Sequence, residues 1–301
     1  MAEKEKVVVI GGAGFLGSHI ADELTGQGYQ VTVFDLRPSA WLQPGQEMVV
    51  GDVFNQATLQ ECMEGAKYVF HLAAVADIGH AVKSPKSTIE HNIIGSVNVI
   101  EACLATNVER LLFASTVYVY SQKGSFYRVS KQAVEAILEN YSTEYGLSYT
   151  TLRYGSLYGP RAQNWNGIRR FVSQAVREGR VTYPGSGQEK REYIHVKDAA
   201  KLSLKAMAAE YRNRCLTITG TQVMTTRELL LMIREIIGHD VELEFSPAGE
   251  EYNQFHYSLT PYRYTPKAGH KIVPNEFVDL GQGILGLIEE EYEKIRGQET
   301  A

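Results

Sequence analysis

A doubly wound α/β fold is what this 301-residue sequence predicts, and three features predict it. Short β-branched runs alternate with helical stretches through the first half of the chain. The first run ends on a cluster of glycines, and the second closes on an aspartate. Strands that alternate with helices pair in parallel, because each crossover helix returns the chain to the same edge of the sheet. Helices then cover both faces.

Val7-Val8-Val9-Ile10 is a continuous β-branched run, the pattern of a strand buried on both faces. A helix is expected from about Ser18 to Thr25, ended by Gly26 and Gly28, and Val31-Thr32-Val33-Phe34 reads as the second strand. Further strands are expected at 48–50, 67–72, 111–115 and 149–153, with helices near 57–64, 92–106 and 129–145. Beyond Arg153 the texture changes. Gly155, Gly159-Pro160, Asn164-Trp165-Asn166-Gly167 and Pro184-Gly185-Ser186-Gly187 punctuate the chain around one helix near 168–178, a pattern of loops around a ligand cleft. Tyr193 to Met207 reads as a strand and helix returning to the first domain, and two more helices are expected at 226–237 and 276–295. The expected organisation is a nucleotide-binding domain over 1–155, with a return at 192–209, and a smaller, mainly substrate-binding cap over 156–301.

Composition narrows the class. With 44% hydrophobic and 22% charged residues, the chain can bury a core without disulfides or structural metal. A net charge of −5 and the lack of a Lys/Arg block argue against a nucleic-acid partner, though not against a small diphosphate. Cys62, Cys103 and Cys215 are far apart and lack ligand spacing, which predicts a reducing compartment and no metal site. The run Val7 to Ile10 stops at Gly11, too short for a membrane span, so a cytoplasmic location is expected.

The segment Gly11-Gly12-Ala13-Gly14-Phe15-Leu16-Gly17 joins the first strand to the first helix. Small residues there permit a tight turn and close approach of the backbone to a pyrophosphate. Unpaired N–H groups at the helix start would face that phosphate. Gly11, Gly14, Phe15, Leu16 and Gly17 are therefore candidate dinucleotide contacts in a Rossmann-type sheet. Asp35 lies 18 residues after Gly17, where a carboxylate accepts hydrogen bonds from the adenosine ribose. It would repel the 2′-phosphate of NADP and so favours NAD; Arg37, which could bind that phosphate, reads better as a solvated loop charge. Asp52, followed by Val53 after the third strand, could meet the adenine or be a plain turn aspartate.

Tyr127 and Lys131 stand four apart near the start of a helix, on one face that continues through Val134, Leu138, Tyr141 and Tyr145. A phenol with a pKa near ~10 is a poor base at neutral pH. A neighbouring ammonium favours the phenolate, which could take a proton from a substrate hydroxyl while hydride leaves the same carbon. Lys131 could also hold the nicotinamide ribose. Ser115-Thr116 ends the strand at 111–115, at the edge where open α/β sheets bind ligands.

With these motifs in order, the sequence resembles the extended short-chain dehydrogenase/reductases, within them the NAD-dependent nucleotide-sugar epimerase/dehydratase group. The likeness extends to His71-Leu72-Ala73-Ala74, Asn92, Arg153-Tyr154, Tyr158-Gly159-Pro160 and Arg191-Glu192-Tyr193-Ile194-His195-Val196 with Asp198. It implies that Leu72, Ala73 and Ala74 line the cofactor and that Thr116, Tyr127 and Lys131 are catalytic. Ser115 is the alternative to Thr116 if the alignment shifts by one. It further implies that Ser156 and Arg191 meet the substrate, Arg191 at the diphosphate, and that the helices near 92–106 and 129–145 pair in a homodimer. His19, His71 and His195 read as structural.

Departures from the group sharpen the expected chemistry. Dehydrating relatives place an Asp-Glu pair directly after the catalytic Thr, and decarboxylating relatives a Glu two residues after it; Val117 and Tyr118 stand there in this chain. Only six residues separate Tyr120 from Tyr127, and Ser156 stands where many relatives carry Asn. The resemblance thus implies an NAD-dependent nucleotide-sugar 4-epimerase. The alternatives are a net dehydrogenase or reductase, and a non-catalytic cofactor sensor. The segment 260–283 is expected to pack on the cap.

Overall fold

The computed structural model describes residues 4–221, 223–238, 240–246, 256 and 259, all within the first of two units into which the chain divides, Met1–Thr265. The chain runs β1 (Lys6–Ile10), α1 (Phe15–Gly26), β2 (Gln30–Asp35), β3 (Gln46–Val50), α2 (Gln56–Met63), β4 (Ala66–His71), α3 (Ile78–Lys83) and α4 (Pro85–Ile89). A short π-helical turn, Glu90–Ile94, leads into α5 (Gly95–Ala105), β5 (Arg110–Thr116) and a 3₁₀ turn, Val117–Tyr120. There follow α6 (Ser125–Tyr145), β6 (Tyr149–Tyr154), β7 (Ser156–Tyr158), α7 (Gly167–Glu178), β8 (Arg180–Pro184), β9 (Lys190–His195) and α8 (Val196–Lys205). The described part ends with β10 (Arg214–Ile218), β11 (Val223–Thr225), α9 (Thr226–Ile237) and β12 (Glu242–Ser246).

Seven parallel strands form the main sheet in the order β10-β6-β5-β4-β1-β2-β3. The chain winds one way from β1 through β2 to β3 and the other way from β4 outward, so a crevice opens between the carboxyl ends of β1 and β4. The period-two pleat sorts the first strand onto two cores. Val7 and Val9 pack with Leu16, Ile20 and Leu24 of α1 and Ala199 and Ala200 of α8. Val8 and Ile10 pack with Leu59 of α2, Val99 and Ile100 of α5, and Val134 and Leu138 of α6. Val7 to Ile10, four of the five β1 residues, are fully buried, as a strand covered on both faces requires.

A smaller layer carries its own core. Phe171 and Ala175 of α7, Val181 and Tyr183 of β8, and Leu229, Leu230 and Ile233 of α9 cluster together with Val241. Here β8 pairs in parallel with β12, and β7, β9 and β11 make a separate three-stranded sheet beside them.

Several elements depart from the sequence expectation. The seventh strand, β10, lies within the stretch read as cap, beyond the expected return at 192–209. Arg214-Cys215-Leu216-Thr217-Ile218 is an edge strand with mostly exposed side chains, so it lacks the continuous apolar run that marks its neighbours. α1 begins at Phe15 and α6 at Ser125, each a turn early, and α3 and α4 occupy a stretch to which the sequence reading assigned no element. The buried seam of α6 stops short of Tyr145, which is exposed. The helix expected at 276–295 and the segment 260–283 lie outside the described residues.

Candidate active site

The crevice at the switch point is a cleft of about 860 Å³. The glycine turn builds one end. Gly11 has φ +80°, and a Cβ there would stand 2.6 Å from the Ala73 backbone nitrogen, so the residue has to be glycine. A Cβ at Gly17 would overlap the Gly11 carbonyl oxygen. α1 starts after Gly14 with no capping side chain and no acidic residue in its first turn, which leaves a positive helix end facing the cleft. Asp35, at the end of β2, braces this turn: its Oδ2 accepts from the Ala13 N–H at 3.1 Å and its Oδ1 from the Arg37 N–H at 3.4 Å. Asp52 accepts from the Phe54 N–H at 3.0 Å.

The other end is built on β5 and α6. Asn92, fully buried in the π turn, accepts from the Val75 N–H at 2.7 Å and donates to the Val75 carbonyl at 3.1 Å and to Ser130 Oγ at 2.9 Å. Ser130 in turn donates to the Tyr127 carbonyl at 2.8 Å. One amide thereby ties the loop after β4 to the start of α6, where Tyr127 sits. A π turn inside a helical stretch is a common mark of such sites. Lys131 is buried, its Nζ 2.7 Å from the Ala114 carbonyl and 4.6 Å from the centre of the Phe113 ring.

Burial drives the Lys131 ammonium down to about 7, against an upward pull from Glu135 one turn further on. Above about pH 7 the folded chain thus gives up a proton that the unfolded chain keeps to its usual 10.5. Unfolding takes protons up in that window, so this group's contribution makes stability rise with pH between about 7 and 10.5, and its cost is present in full below 7. Lys131→Met has no such group. The wild-type melting temperature minus that of Lys131→Met is therefore expected to climb between pH 7 and pH 10 in thermal melts; a flat difference would contradict the burial argument.

Ser115 and Thr116 have different partners. The Ser115 hydroxyl donates to Glu135 Oε1 at 2.5 Å, and Glu135 holds Arg153 through two bonds of 3.0 and 2.5 Å. Thr116 Oγ1 accepts from the Tyr118 N–H at 3.3 Å and caps the 3₁₀ turn. Ser115 is thus engaged by a buried ion pair, whereas Thr116 closes the strand at the cleft.

All of the residues expected at the site from sequence line this one cleft: Gly11, Gly14, Phe15, Leu16, Gly17, Asp35, Asp52, Val53, Leu72, Ala73, Ala74, Ser115, Thr116, Tyr127, Lys131, Ser156 and Arg191. Ser156 comes from β7 and Arg191 from β9. Among the lining residues that the sequence reading did not assign to the site are Tyr118, Arg170 and His256. Tyr118 was read only for the carboxylate it replaces, and His256 stands in no motif. His195 caps α8, His19 bonds the Pro160 carbonyl at 3.1 Å, and His71, buried against Ser96, is pushed down to about 3 by desolvation. Among the described residues no helix is long and apolar enough to cross a membrane. No group of three or more His, Cys, Asp or Glu among them is placed to hold a metal ion.

A parallel sheet with this crevice, this glycine cradle and an acidic end to β2 defines a dinucleotide-binding enzyme of the Rossmann type. Residues 7–216 match the NAD dependent epimerase/dehydratase family, and the chain belongs to that family. It is similar to a UDP-glucose 4-epimerase of Rhizobium leguminosarum bv. trifolii, 30% identical over 80% of this chain and 85% of the relative. It also resembles a UDP-N-acetyl-alpha-D-glucosaminuronate decarboxylase of Bacillus cytotoxicus, 26% identical over 83% of this chain and 85% of the relative. Among solved structures, UDP-glucose 4-epimerase of Thermus thermophilus in complex with NAD superposes with a TM-score of 0.76 at 27% identity, covering 88% of this chain and 95% of that one. The chain is an NAD-dependent enzyme, and the cradle formed by Gly11, Gly17 and the uncapped start of α1 fits that cofactor.

Proposed function

We propose that this enzyme is a nucleotide-sugar 4-epimerase. The observation that carries the reading is the pairing of Tyr127 and Lys131 in one cleft with a strand end that offers Val117 and Tyr118 in place of carboxylates. Bound NAD supplies the hydride acceptor. Tyr127 takes the proton of the C4 hydroxyl, and Thr116 hydrogen-bonds the same oxygen as it becomes a ketone. Charged Lys131 favours the phenolate and holds the cofactor ribose. Arg191 and Ser156 hold the diphosphate, so the keto sugar can turn within the cleft and present its other face. Return of the hydride to that face of C4, with the proton handed back to the C4 oxygen by Tyr127, would then complete the inversion and restore NAD.

The same proposal places the sugar under the smaller layer of α7, α9, β8 and β12, taking 156–301 mainly as the substrate-binding part. It includes a homodimer through α5 and α6; the half-exposed Ile94 and Val129 beside and on those helices support it.

The test is turnover without added cofactor. Purified enzyme is incubated with UDP-glucose and, separately, UDP-galactose, and the sugars are followed by NMR. Interconversion with no net change in NADH is expected. Stoichiometric NADH accumulation would instead identify a dehydrogenase.

A further inference from the structure

The side of the cleft facing Tyr127 carries a second phenol that the proposed reaction does not use. Tyr118 lies two residues after Thr116, on the 3₁₀ turn that follows β5. Its hydroxyl is 2.7 Å from Nδ1 of His256, and its ring meets the Tyr127 ring edge-on, with centres 6.4 Å apart at 75°. The fold makes room for it. Gly124, at φ +96° before α6, has no side chain, and a Cβ there would stand 2.6 Å from the Tyr118 ring. Both members of the pair line the cleft, as do Arg170 and Arg191.

His256 is largely desolvated, and Arg191 and Arg170 both disfavour its charged form, while Asp77 opposes them. These influences push it down to about 4, so at neutral pH the imidazole is uncharged. Whichever ring nitrogen carries the proton, the bond to Tyr118 joins two neutral groups. Such a pair offers hydrogen bonding and brings no charge of its own to the cleft wall. The ligand group that matches it is a hydroxyl. Its place one aromatic ring from Tyr127 aligns it with the substituent beside the reacting carbon.

We propose that Tyr118 and His256 form a specificity pair that receives one of the two sugar hydroxyls flanking the oxidised carbon, that on C3 or that on C6. This rests on the epimerase reading for the identity of the reacting carbon. A site built to hydrogen-bond a hydroxyl discriminates against the analogue that lacks it, because its own polar groups then lose their partner.

Binding tests this separately from turnover. Dissociation constants are measured by calorimetry on the NAD-loaded enzyme for UDP-glucose, its 3-deoxy and 6-deoxy analogues, and UDP-glucuronate. Wild-type enzyme is expected to bind UDP-glucose about tenfold more tightly than one of the two deoxy analogues. In Tyr118→Phe and in His256→Gln that preference shrinks to near unity, which a general packing defect would not produce. The second variant carries the comparison alone if the first fails to fold. An unchanged preference in a folded variant overturns the proposal. So does tighter binding of UDP-glucuronate than UDP-glucose that is lost in His256→Gln, since the pair would then serve a carboxylate. Tight, hydroxyl-dependent binding of UDP-glucose without epimerisation would instead overturn only the epimerase reading.

Discussion

Tyr127→Phe is expected to lower kcat by about 10²–10⁴-fold, the range supplied by a positioned general acid or base, while nucleotide-sugar binding changes little. Phe keeps the ring and its edge-on packing against Tyr118, so the cleft wall survives the substitution. What disappears is the oxygen that, in the proposed reaction, takes the C4 hydroxyl proton as the carbon is oxidised. The measurement is steady-state turnover of UDP-glucose together with its dissociation constant on the same protein. An equal loss in both quantities would mean that Tyr127 serves binding. Full turnover in the variant would point to a different base, with Tyr118 a neighbouring phenol in the cleft. The placement of Tyr127 depends on Asn92, which holds the helix start through Ser130, so the expected rate effect belongs to a residue fixed from behind.

Legibility in the sequence followed burial. β1, β4 and β5 are covered on both faces, and their continuous apolar runs announced them. β10 lies at the sheet edge with exposed side chains, and its five residues carry no comparable pattern. The cofactor end of the cleft was readable because its chemistry is local: a few consecutive glycines and one strand-end aspartate suffice. The Tyr127–Lys131 pair was readable for the same reason, since helical spacing fixes both on one face. Tyr118 and His256 are 138 positions apart and meet only through the tertiary fold, so no spacing rule could join them. Arg170 reaches the cleft from α7, a helix likewise placed by tertiary packing, against β8 and α9. The resemblance favoured Thr116 over Ser115 only through an alignment that a shift of one residue would change. The structure separates them through Glu135, a helix residue that reads as an ordinary surface charge until Arg153 is brought beside it.

Glu135→Ala is expected to cost about 3–5 kcal/mol of stability, because it strands a mostly buried guanidinium. In the native chain Glu135 takes two bonds from Arg153 and one from Ser115, and both ion-pair partners are shielded from solvent. After truncation Arg153 retains the Tyr120 hydroxyl, at 2.6 Å, among its polar contacts, and a neutral oxygen cannot replace the charge. A chain of this size should then melt roughly 5–8 °C lower. The double variant Glu135→Leu, Arg153→Met is expected to recover a large part of that loss, since apolar replacement of both partners removes the desolvation cost as well as the attraction. If the single variant melted within a degree or two of wild type, the pair would be no more than a surface contact. A second readout ties the pair to the site. Glu135 is the group that pulls the Lys131 ammonium upward, so its removal lets that ammonium deprotonate at lower pH. With the cofactor bound, the alkaline limb of the pH–rate profile should therefore shift to lower pH in Glu135→Ala and shift back in a variant that keeps the charge, Glu135→Asp. A stability loss without that shift would confine Glu135 to holding β5 and β6 against α6, and would leave Lys131 governed by its burial alone.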